Sequence, residues 1–194
     1  STGGLSSLSL EERCVCLNDP RVEVASLNMG SCNFGDDVYI NTLPDIRYWA
    51  KRMQETQTVP ELEVFDLSMI ATCGRIADEG LISRPMHFNI CLGFESAIQA
   101  TPENLYAMQA AVPTGATWGV THDGMKDFKV LGAALGIGAS TVRVGFEDSF
   151  YYTPEKTATT NAALVTKLRT LVEAMGLEHM SADEARDVLG IRRN

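Results

Sequence analysis

The sequence predicts an α/β protein built around a parallel β-sheet. Short apolar stretches rich in β-branched residues alternate with longer segments whose apolar residues recur at helical spacing. Alternation at intervals of roughly 25–40 residues is typical of βαβ units, and these units give parallel sheets. A closed barrel and an open doubly wound sheet both fit this pattern. No Gly-x-Gly-x-x-Gly run follows a predicted strand, which disfavours a dinucleotide-binding sheet.

Five strands are predicted, with helical segments between them and after the last. The strands are Val22–Asn28, Glu61–Asp66, His87–Leu92, Thr117–Thr121 and Thr141–Phe146. The helices are Pro44–Gln57, Leu67–Glu79, Pro102–Ala111, Lys126–Leu135 and Asn161–Met175. Two of these helices begin with proline, which is typical of a first turn because no helical hydrogen bond is lost there. A last helix is predicted to begin at Ser181 or Ala182, where Ser181 and Glu184 have the spacing of a capping box.

The composition excludes several classes of partner. The chain has 16 Lys and Arg against 25 Asp and Glu, a net charge of -9, which repels nucleic acid. No apolar run approaches the roughly 18–20 residues of a membrane span. The 5 cysteines include no Cys-x-x-Cys pair, so we interpret them as reduced thiols of a cytoplasmic protein. We therefore expect one soluble globular unit that binds neither nucleic acid nor membrane.

The strongest candidate for chemistry is the run from Arg143 to Asp148. A predicted buried strand ends there in two adjacent carboxylates, Glu147 and Asp148. Barrel enzymes place their working residues at the carboxyl ends of strands. If the strand extends through this run, alternation puts Arg143, Gly145 and Glu147 on one inward face. The alternative is structural, either an ion pair that closes the end of the sheet or a helix N-cap by Asp148.

Two further strands carry polar side chains. Ser26 and Asn28 lead into a glycine-punctuated polar loop, where small hydroxyl and amide groups can orient a carbonyl or carboxylate ligand. Ordinary turn chemistry is the alternative there. Glu61 and Glu63 share one face of a strand, and inward acids are costly unless they are paired or metal-bound. A solvated rim is the alternative for these two glutamates.

The histidines do not form a local metal site. The three are His87, His122 and His179, and none lies two or four residues from another. We interpret His87 as structural and His179 as solvent-exposed. His122 stands at the end of a predicted strand beside Asp123, and whether it lines the site stays open from the residues alone.

Seven segments together resemble one enzyme family over the whole chain. They are Ser1-Thr2-Gly3-Gly4, Ser26-Leu27-Asn28-Met29-Gly30-Ser31, Asn33-Phe34-Gly35-Asp36, Pro60-Glu61-Leu62-Glu63-Val64-Phe65, Arg143-Val144-Gly145-Phe146-Glu147-Asp148, Asn161-Ala162 and Glu184-Ala185-Arg186. In order and spacing they resemble the β-keto acid cleavage enzymes, whose best-known members cleave 3-keto-5-aminohexanoate in lysine fermentation. The Arg-x-Gly-x-Glu-Asp element is the most specific of the seven.

The resemblance implies a (β/α)8 TIM barrel. Residues 1–194 are then a single partial barrel domain that supplies about strands 4–8 with their helices, and strands 1–3 lie outside it on the N-terminal side. The resemblance further implies a homo-oligomer, a tetramer in this family. It also implies that activity needs the N-terminal barrel segment.

The resemblance assigns roles to several residues. A divalent metal, usually Zn2+, is held in the family by Glu147 and by a His-x-His pair on the second barrel strand, and this sequence contains no such pair. Asp148 falls on the catalytic carboxylate with Arg143 beside it, and Ser1 and Ser26 fall on residues that hold the keto acid. The implied reaction is part of amino acid catabolism. A β-keto acid is cleaved with acetyl-CoA, by a Claisen and retro-Claisen route, to acetoacetate and an acyl-CoA.

Two loops depart from the family's pattern. The sequence has His122-Asp123-Gly124-Met125 where the family often has Gly-Ile-Gly-Arg, and Ser96-Ala97 replaces a paired glycine. Both loops border the substrate pocket in the family, so we expect His122 and Asp123 to contact the substrate and influence its choice. The identity of the keto acid stays open. Two other interpretations also stay open: a non-catalytic fragment or degenerate paralogue, and another metal-dependent barrel aldolase or lyase.

Overall fold

The computed structural model describes residues 2–191. Its strands are β1 (Val24–Asn28), β2 (Cys32–Phe34), β3 (Asp37–Tyr39), β4 (Val59–Val64), β5 (His87–Leu92), β6 (Thr117–His122), β7 (Thr141–Val142), β8 (Tyr151–Thr153) and β9 (Lys156–Thr157). Its α-helices are α1 (Leu10–Arg13), α2 (Leu43–Thr56), α3 (Leu67–Asp78), α4 (Pro102–Ala111), α5 (Lys129–Gly136), α6 (Asn161–Ala174) and α7 (Ala182–Leu189). A 3-10 turn covers Val15–Asn18.

The large sheet contains β1, β4, β5, β6 and β7, paired in that order and all parallel. Strand order therefore follows chain order. An open doubly wound sheet reverses its strand order at a switch point, and the five strands described here show no reversal. Helices α2 to α5 connect successive strands, and each contacts the strand of the sheet that precedes it. This arrangement is that of consecutive units of a barrel, and it decides between the two predicted architectures.

The two faces of the sheet differ in chemistry. On the outer face, apolar side chains such as Leu27, Leu62, Phe88 and Val120 are buried in one core with the helices. Residues in register on neighbouring strands share a face, so the opposite face carries two mostly polar rows. The first row is Ser26, Glu61, His87 and Thr117, and the second is Asn28, Glu63, Asn89 and Gly119. Polar side chains therefore converge on the inner face.

Helix α2 shows why these segments become helical. Thr42 and Asp45 form a reciprocal capping box, and Pro44 stands in the first turn. The side chains that it buries recur every three to four residues: Ile46, Trp49, Ala50 and Met53. Burial of a large apolar side chain contributes about 1.5–3 kcal/mol, so this stripe fixes the helix on the sheet. Within residues 2–191 we find no helix with the length and apolar character of a membrane span.

The last strand of the sheet is shorter than the sequence predicted. The strand covers only Thr141–Val142, and the chain then turns, with the backbone N–H of Ser149 donating to the carbonyl of Gly145 at 2.9 Å. The expected alternation that placed Arg143, Gly145 and Glu147 on one strand face is therefore wrong. A turn replaces the strand at these positions.

The other differences concern short elements. The β2–β3 and β8–β9 hairpins and α1 were not predicted, because strands of two or three residues are too short to show alternation. Helix α5 begins at Lys129 rather than Lys126, and the Asp127 side chain just before it accepts from the backbone N–H of Lys129 at 3.0 Å. The remaining predicted elements agree with the structure to within two residues at either end, and the capping box of Ser181 and Glu184 is confirmed.

Candidate active site

A cavity of about 800 Å³ opens on the polar face of the sheet. Small-molecule sites typically occupy about 300–1,000 Å³. Five predicted site residues line it, namely Ser26, Asn28, Arg143, Glu147 and Asp148. Glu61 and Glu63 line it as well. With Asp37, the cavity lining therefore has five carboxylates and the guanidinium group of Arg143.

The centre of the site is the pair of Arg143 and Asp148. Arg143 Nε donates to Asp148 Oδ2 at 2.9 Å, and its Nη2 donates to Oδ1. Asp148 is only 6% exposed. Burial acts to lower the pKa of Arg143, but the hydrogen bond and the charge of Asp148 raise that pKa above its usual value. A bidentate pair of this kind fixes both side chains in orientation.

The turn after β7 holds this pair in place. The backbone N–H of Gly124, in the loop after β6, donates to the carbonyl of Asp148 at 2.9 Å. The backbone N–H of Phe146 donates to Asn161 Oδ1 at 2.8 Å, which ties the turn to the start of α6. The Asn161-Ala162 segment therefore has a structural role next to the candidate site.

Glu147 differs from its neighbour Asp148. Its side chain is exposed yet lines the cavity, so its carboxylate is open to a ligand. No group of three His, Cys, Asp or Glu that could hold a metal is present among residues 2–191. Carboxylate oxygen is an ordinary ligand of zinc. Glu147 therefore fits a divalent metal as one ligand, and the described part of the chain does not supply a complete set.

Glu63 is a site residue that the sequence left undecided. Asn28 Nδ2 donates to Glu63 Oε2 at 2.7 Å, and Arg143 Nη1 lies 3.9 Å from Glu63 Oε1. Burial, helped by the nearby charge of Glu61, raises the pKa of Glu63 to about 7, while Arg143 acts in the opposite direction. The two-residue spacing of Glu61 and Glu63 was the only signal in the sequence, and it fitted a solvated rim equally well.

Glu61 lies one row deeper on the inner face. Burial raises its pKa, and Arg143 lowers it. His87 Nε2 lies 3.8 Å from Glu61 Oε1, and His87 Nδ1 is 2.8 Å from Thr117 Oγ1. Burial lowers the pKa of His87. His87 is thus a buried, hydrogen-bonded residue of the sheet, in keeping with its structural interpretation.

Ser26 and Asn28 have the positions expected of residues that contact a ligand. Both are buried and line the cavity. Asn28 Oδ1 is buried with no hydrogen-bond partner among residues 2–191, which leaves an acceptor for a ligand. The Ser26 carbonyl accepts from the backbone N–H of Thr2 at 3.3 Å and from the Thr2 hydroxyl at 2.5 Å. Ser1 lies outside the described residues.

His122 and Asp123 are not among the residues that line the cavity. His122 Nδ1 is buried without a partner within the described part of the chain. Burial lowers the pKa of His122, whereas the charges of Asp127 and Asp148 act to raise it. Burial, followed by the charge of Asp148, raises the pKa of Asp123. Both residues therefore lie close to Asp148 and the turn that carries it, and their contact with a substrate stays a prediction.

An aromatic wall forms part of the cavity lining. Its members are Phe34, Tyr39, Phe65 and Phe94. The rings of Phe34, Phe65 and Phe94 pack edge to face, with centroids 5.1–5.7 Å apart. Phe34 and Tyr39 come from the β2–β3 hairpin, which was not predicted. This wall gives the cavity an apolar side for a carbon chain.

Comparison with known proteins identifies the family. A family model described as the beta-keto acid cleavage enzyme matches residues 1–191. Two similar proteins are 3-keto-5-aminohexanoate cleavage enzymes, from Acetoanaerobium sticklandii at 38% identity and from Fusobacterium nucleatum subsp. nucleatum at 36%. Each match covers 100% of this chain and 70% of the relative. A 3,5-dioxohexanoate:acetyl-CoA acetone transferase of Paraburkholderia graminis is 29% identical, over 99% of this chain and 71% of its own length.

Solved structures agree on the fold. The apo structure of ObcA superposes with a TM-score of 0.74 at 18% identity, over 87% of this chain and 44% of that chain. The superposed part of this chain therefore makes up less than half of that solved protein. The likeness shows that the parallel sheet and its helices are part of a TIM barrel. From the family model and the curated relatives, the chain belongs to the β-keto acid cleavage enzyme family.

Proposed function

We propose that this chain carries the proton-transfer site of an enzyme that cleaves a β-keto acid with acetyl-CoA, giving acetoacetate and an acyl-CoA. The observation that carries the proposal is the bidentate pair of the half-buried Arg143 and the buried Asp148, which follows the carboxyl end of β7 and lines the cavity. Family membership supports the reaction class, and a relative named as an acetyl-CoA transferase supports the co-substrate.

Asp148 is the proposed general base. It takes a proton from the carbon between the ketone and carboxylate of the keto acid, leaving an enolate. Arg143 holds both carboxylate oxygens, and each oxygen keeps a further lone pair for the proton. We place the developing negative charge near this guanidinium, which would favour the enolate over the ketone.

The enolate then attacks the thioester carbonyl of acetyl-CoA, and a carbon–carbon bond forms as the CoA thiolate leaves. The thiolate attacks the original ketone carbon, and the bond between that carbon and the former enolate carbon breaks. The acyl-CoA departs, and the acetoacetate enolate recovers its proton from Asp148. Atoms and protons balance over the cycle, so Asp148 ends as it began.

A divalent metal, for which Zn2+ is the family's usual ion, completes the proposal. Glu147 would hold it together with a His-x-His pair from outside residues 1–194, on the three barrel strands that we propose precede this chain. When bound, such a metal polarises the ketone oxygen as a Lewis acid. The exposed carboxylate of Glu147 on the cavity wall supports this assignment.

The remaining assignments concern the substrate and the assembly. Ser26 and Asn28 support binding of the keto acid, because both line the cavity and Asn28 Oδ1 has no partner in the described residues. We retain Ser1 in this role, and His122 and Asp123 as determinants of substrate choice, from the family resemblance. The resemblance also supports a cytoplasmic homo-oligomer, with a tetramer expected.

Replacement of Asp148 tests the proposal. Asp148→Asn keeps the size of the side chain but removes the base, so kcat should fall about 10²–10⁴-fold while the metal content of the intact enzyme is unchanged. Asp187→Asn, at an exposed position on α7, is the matched control and should keep wild-type turnover. A rate for Asp148→Asn within threefold of wild type would show that Asp148 is structural.

A further inference from the structure

Arg13, on α1, is a buried cation that has no part in the proposed chemistry. The residue is only 5% exposed. Three oxygen atoms accept from its guanidinium group, and none of the three carries a charge. Burial of a charge costs free energy, which uncharged partners offset only in part. A group of this kind contributes more to a fixed local geometry than to net stability.

The three acceptors belong to consecutive residues at the end of the β2–β3 hairpin. Arg13 Nη1 donates to the Ile40 carbonyl at 2.8 Å. Its Nη2 donates to Asn41 Oδ1 at 2.5 Å and to the Tyr39 hydroxyl at 3.3 Å. A planar guanidinium group presents its N–H donors in fixed directions. One side chain therefore sets the position of the end of the hairpin relative to α1.

The guanidinium group also lies over two aromatic rings. Arg13 Cζ is 4.1 Å from the ring centroid of Trp49, on α2, and 5.3 Å from that of Tyr39. Trp49 is buried, and its Nε1 donates to the Leu10 carbonyl of α1 at 3.0 Å. A cation over a tryptophan ring is the strongest contact of this type. These contacts with the core fix the position of Arg13 itself.

The residues that Arg13 contacts form part of the cavity lining. Phe34 and Tyr39, one on each strand of the hairpin, line the cavity, and their ring centroids are 5.3 Å apart. Gly4 lines the cavity as well, and a Cβ at that position would lie 3.5 Å from Arg13 Cγ. A shift of the Arg13 side chain would therefore move the aromatic wall.

The segment before α1 also attaches to the hairpin, but at exposed positions. Ser6 Oγ accepts from the backbone N–H of Ile40 at 2.9 Å and donates to the Val38 carbonyl at 3.2 Å. Water competes for exposed hydrogen bonds of this kind, so they open at low cost. The bond from Arg13 to Asn41 is buried instead. Arg13 therefore provides the protected attachment.

We propose that Arg13 is a positioning residue that sets the selectivity of the enzyme among keto acids, because it holds Phe34 and Tyr39 against the carbon chain of the substrate. The inference rests on the proposed function for the reaction that is measured. Arg13 is not among the residues that line the cavity, so it acts through the hairpin. A long carbon chain reaches the wall, whereas a short one does not.

The test compares Arg13→Lys with wild type in the intact enzyme. Lysine keeps the charge but lacks the planar fork, so it cannot serve the three acceptors together. The ratio of kcat/KM for 3-oxooctanoate to that for 3-oxopentanoate should fall about tenfold, because a loosened wall loses contact with the longer chain. The change should lie in KM rather than kcat. Arg75→Gln, at an exposed position on α3, is the control and should keep the wild-type ratio.

Tyr39→Phe gives a second measurement, which also serves if Arg13→Lys does not fold. It removes only the hydroxyl that accepts from Arg13 and keeps the ring in the wall. The same ratio should fall, by a smaller factor, and Tyr39→Phe should cause no further fall when it is added to Arg13→Lys. Additive falls, or an unchanged ratio in either single variant, would overturn the inference. Cleavage of keto acids with an unchanged ratio would leave the proposed function standing without this role.

Hydrogen exchange tests the positioning without any substrate. In Arg13→Lys the backbone amides of residues 32–41 should exchange about tenfold faster than in wild type, while those of β5 keep their rate. Unchanged exchange in the hairpin would contradict the inference, and so would an equal acceleration in β5, since Arg13 would then support the fold in general. Faster exchange confined to the hairpin, in an enzyme that cleaves no keto acid, would support the positioning and reject the proposed function.

Discussion

At the residue scale, Glu147 and Asp148 are adjacent in sequence but have opposite environments. Asp148 is buried and bound by Arg143 through two hydrogen bonds, whereas Glu147 is exposed on the cavity wall. The turn that ends β7 causes this difference, because it points consecutive side chains in different directions. A buried, oriented carboxylate suits proton transfer, and an open one suits a metal ion.

Replacement of Glu147 tests this division of roles. Glu147→Gln should lower the metal content of the purified enzyme after dialysis, because it removes an anionic ligand without changing the size of the side chain. Elemental analysis of the variant beside wild type measures the effect. Asp148→Asn is the neighbouring control and should keep its metal. An equal metal content in Glu147→Gln and wild type would show that Glu147 is not a ligand.

The raised pKa of Glu63 has a consequence for stability. Burial raises this pKa to about 7, above the value of about 4.3 for an unfolded chain. The folded state then binds this proton more tightly than the unfolded chain does. The resulting stabilisation is fully present below the unfolded pKa and is lost as pH rises through about 7. Ionisation of Glu63 should therefore destabilise the enzyme at alkaline pH.

The variant Glu63→Gln resembles the protonated acid at every pH and can still accept from Asn28. Its free energy of unfolding should equal that of wild type near pH 4 and exceed it at pH 8. Thermal melts of both proteins across this range give the comparison. Glu103→Gln, at an exposed position on α4, should show no such trend. A stability difference that is constant with pH would contradict the assignment.

At the element scale, β7 depends on a close approach to β6. Gly119 pairs with Thr141, and a Cβ at position 119 would lie 2.7 Å from the Thr141 carbonyl oxygen and closer still to its hydroxyl. Only glycine allows the two strands to pair at this distance. The short β7 leads directly into Arg143 and the turn that carries Asp148, so this contact positions the candidate site.

The substitution Gly119→Ala should therefore destabilise the enzyme, by about 1–3 kcal/mol, the usual cost of overpacking. Gly132→Ala on α5 is the contrasting control, because its new methyl group would meet only a Leu171 methyl at 3.9 Å. Replacing a helical glycine with alanine should stabilise by about 0.5–1 kcal/mol. Urea denaturation of the two variants measures both. Equal effects of the two substitutions would show that the β6–β7 approach is not tight.

Long elements were predictable from the sequence, and short ones were not. Helices such as α2 and α4 have caps, first-turn prolines and apolar residues at helical spacing, so their bounds were predicted closely. The hairpins of two or three residues per strand lack such a pattern, and with them the aromatic wall was missed. The run after Val142 was predicted as strand because it continues a short apolar stretch with β-branched residues, although the Gly145–Ser149 hydrogen bond turns the chain.

The candidate site was partly predictable for the same reason. Arg143, Glu147 and Asp148 lie within one short segment, so their proximity was visible in the sequence. The contact of Glu63 with Asn28 and Arg143 depends on the register of three strands that are distant in the chain. No local pattern specifies that register, and the role of Glu63 emerged only from the fold.

At the scale of the whole molecule, acidic groups dominate both the chain and its cavity. The chain carries a net charge of -9, and five carboxylates line the cavity: Asp37, Glu61, Glu63, Glu147 and Asp148. Arg143 supplies a guanidinium group to the lining, and Asp148 binds it through two hydrogen bonds. A cavity of this charge attracts a cation and repels a phosphate group.

The central claim is that a keto acid enolate exchanges acyl groups with acetyl-CoA at this site. The most direct measurement uses acetyl-CoA carrying carbon-13 in both acetyl carbons, incubated with the intact enzyme and a panel of β-keto acids. The label should appear in the methyl and ketone carbons of acetoacetate, and the new acyl-CoA should be unlabelled. Label in the new acyl-CoA, or no acetoacetate with any keto acid of the panel, would contradict the account.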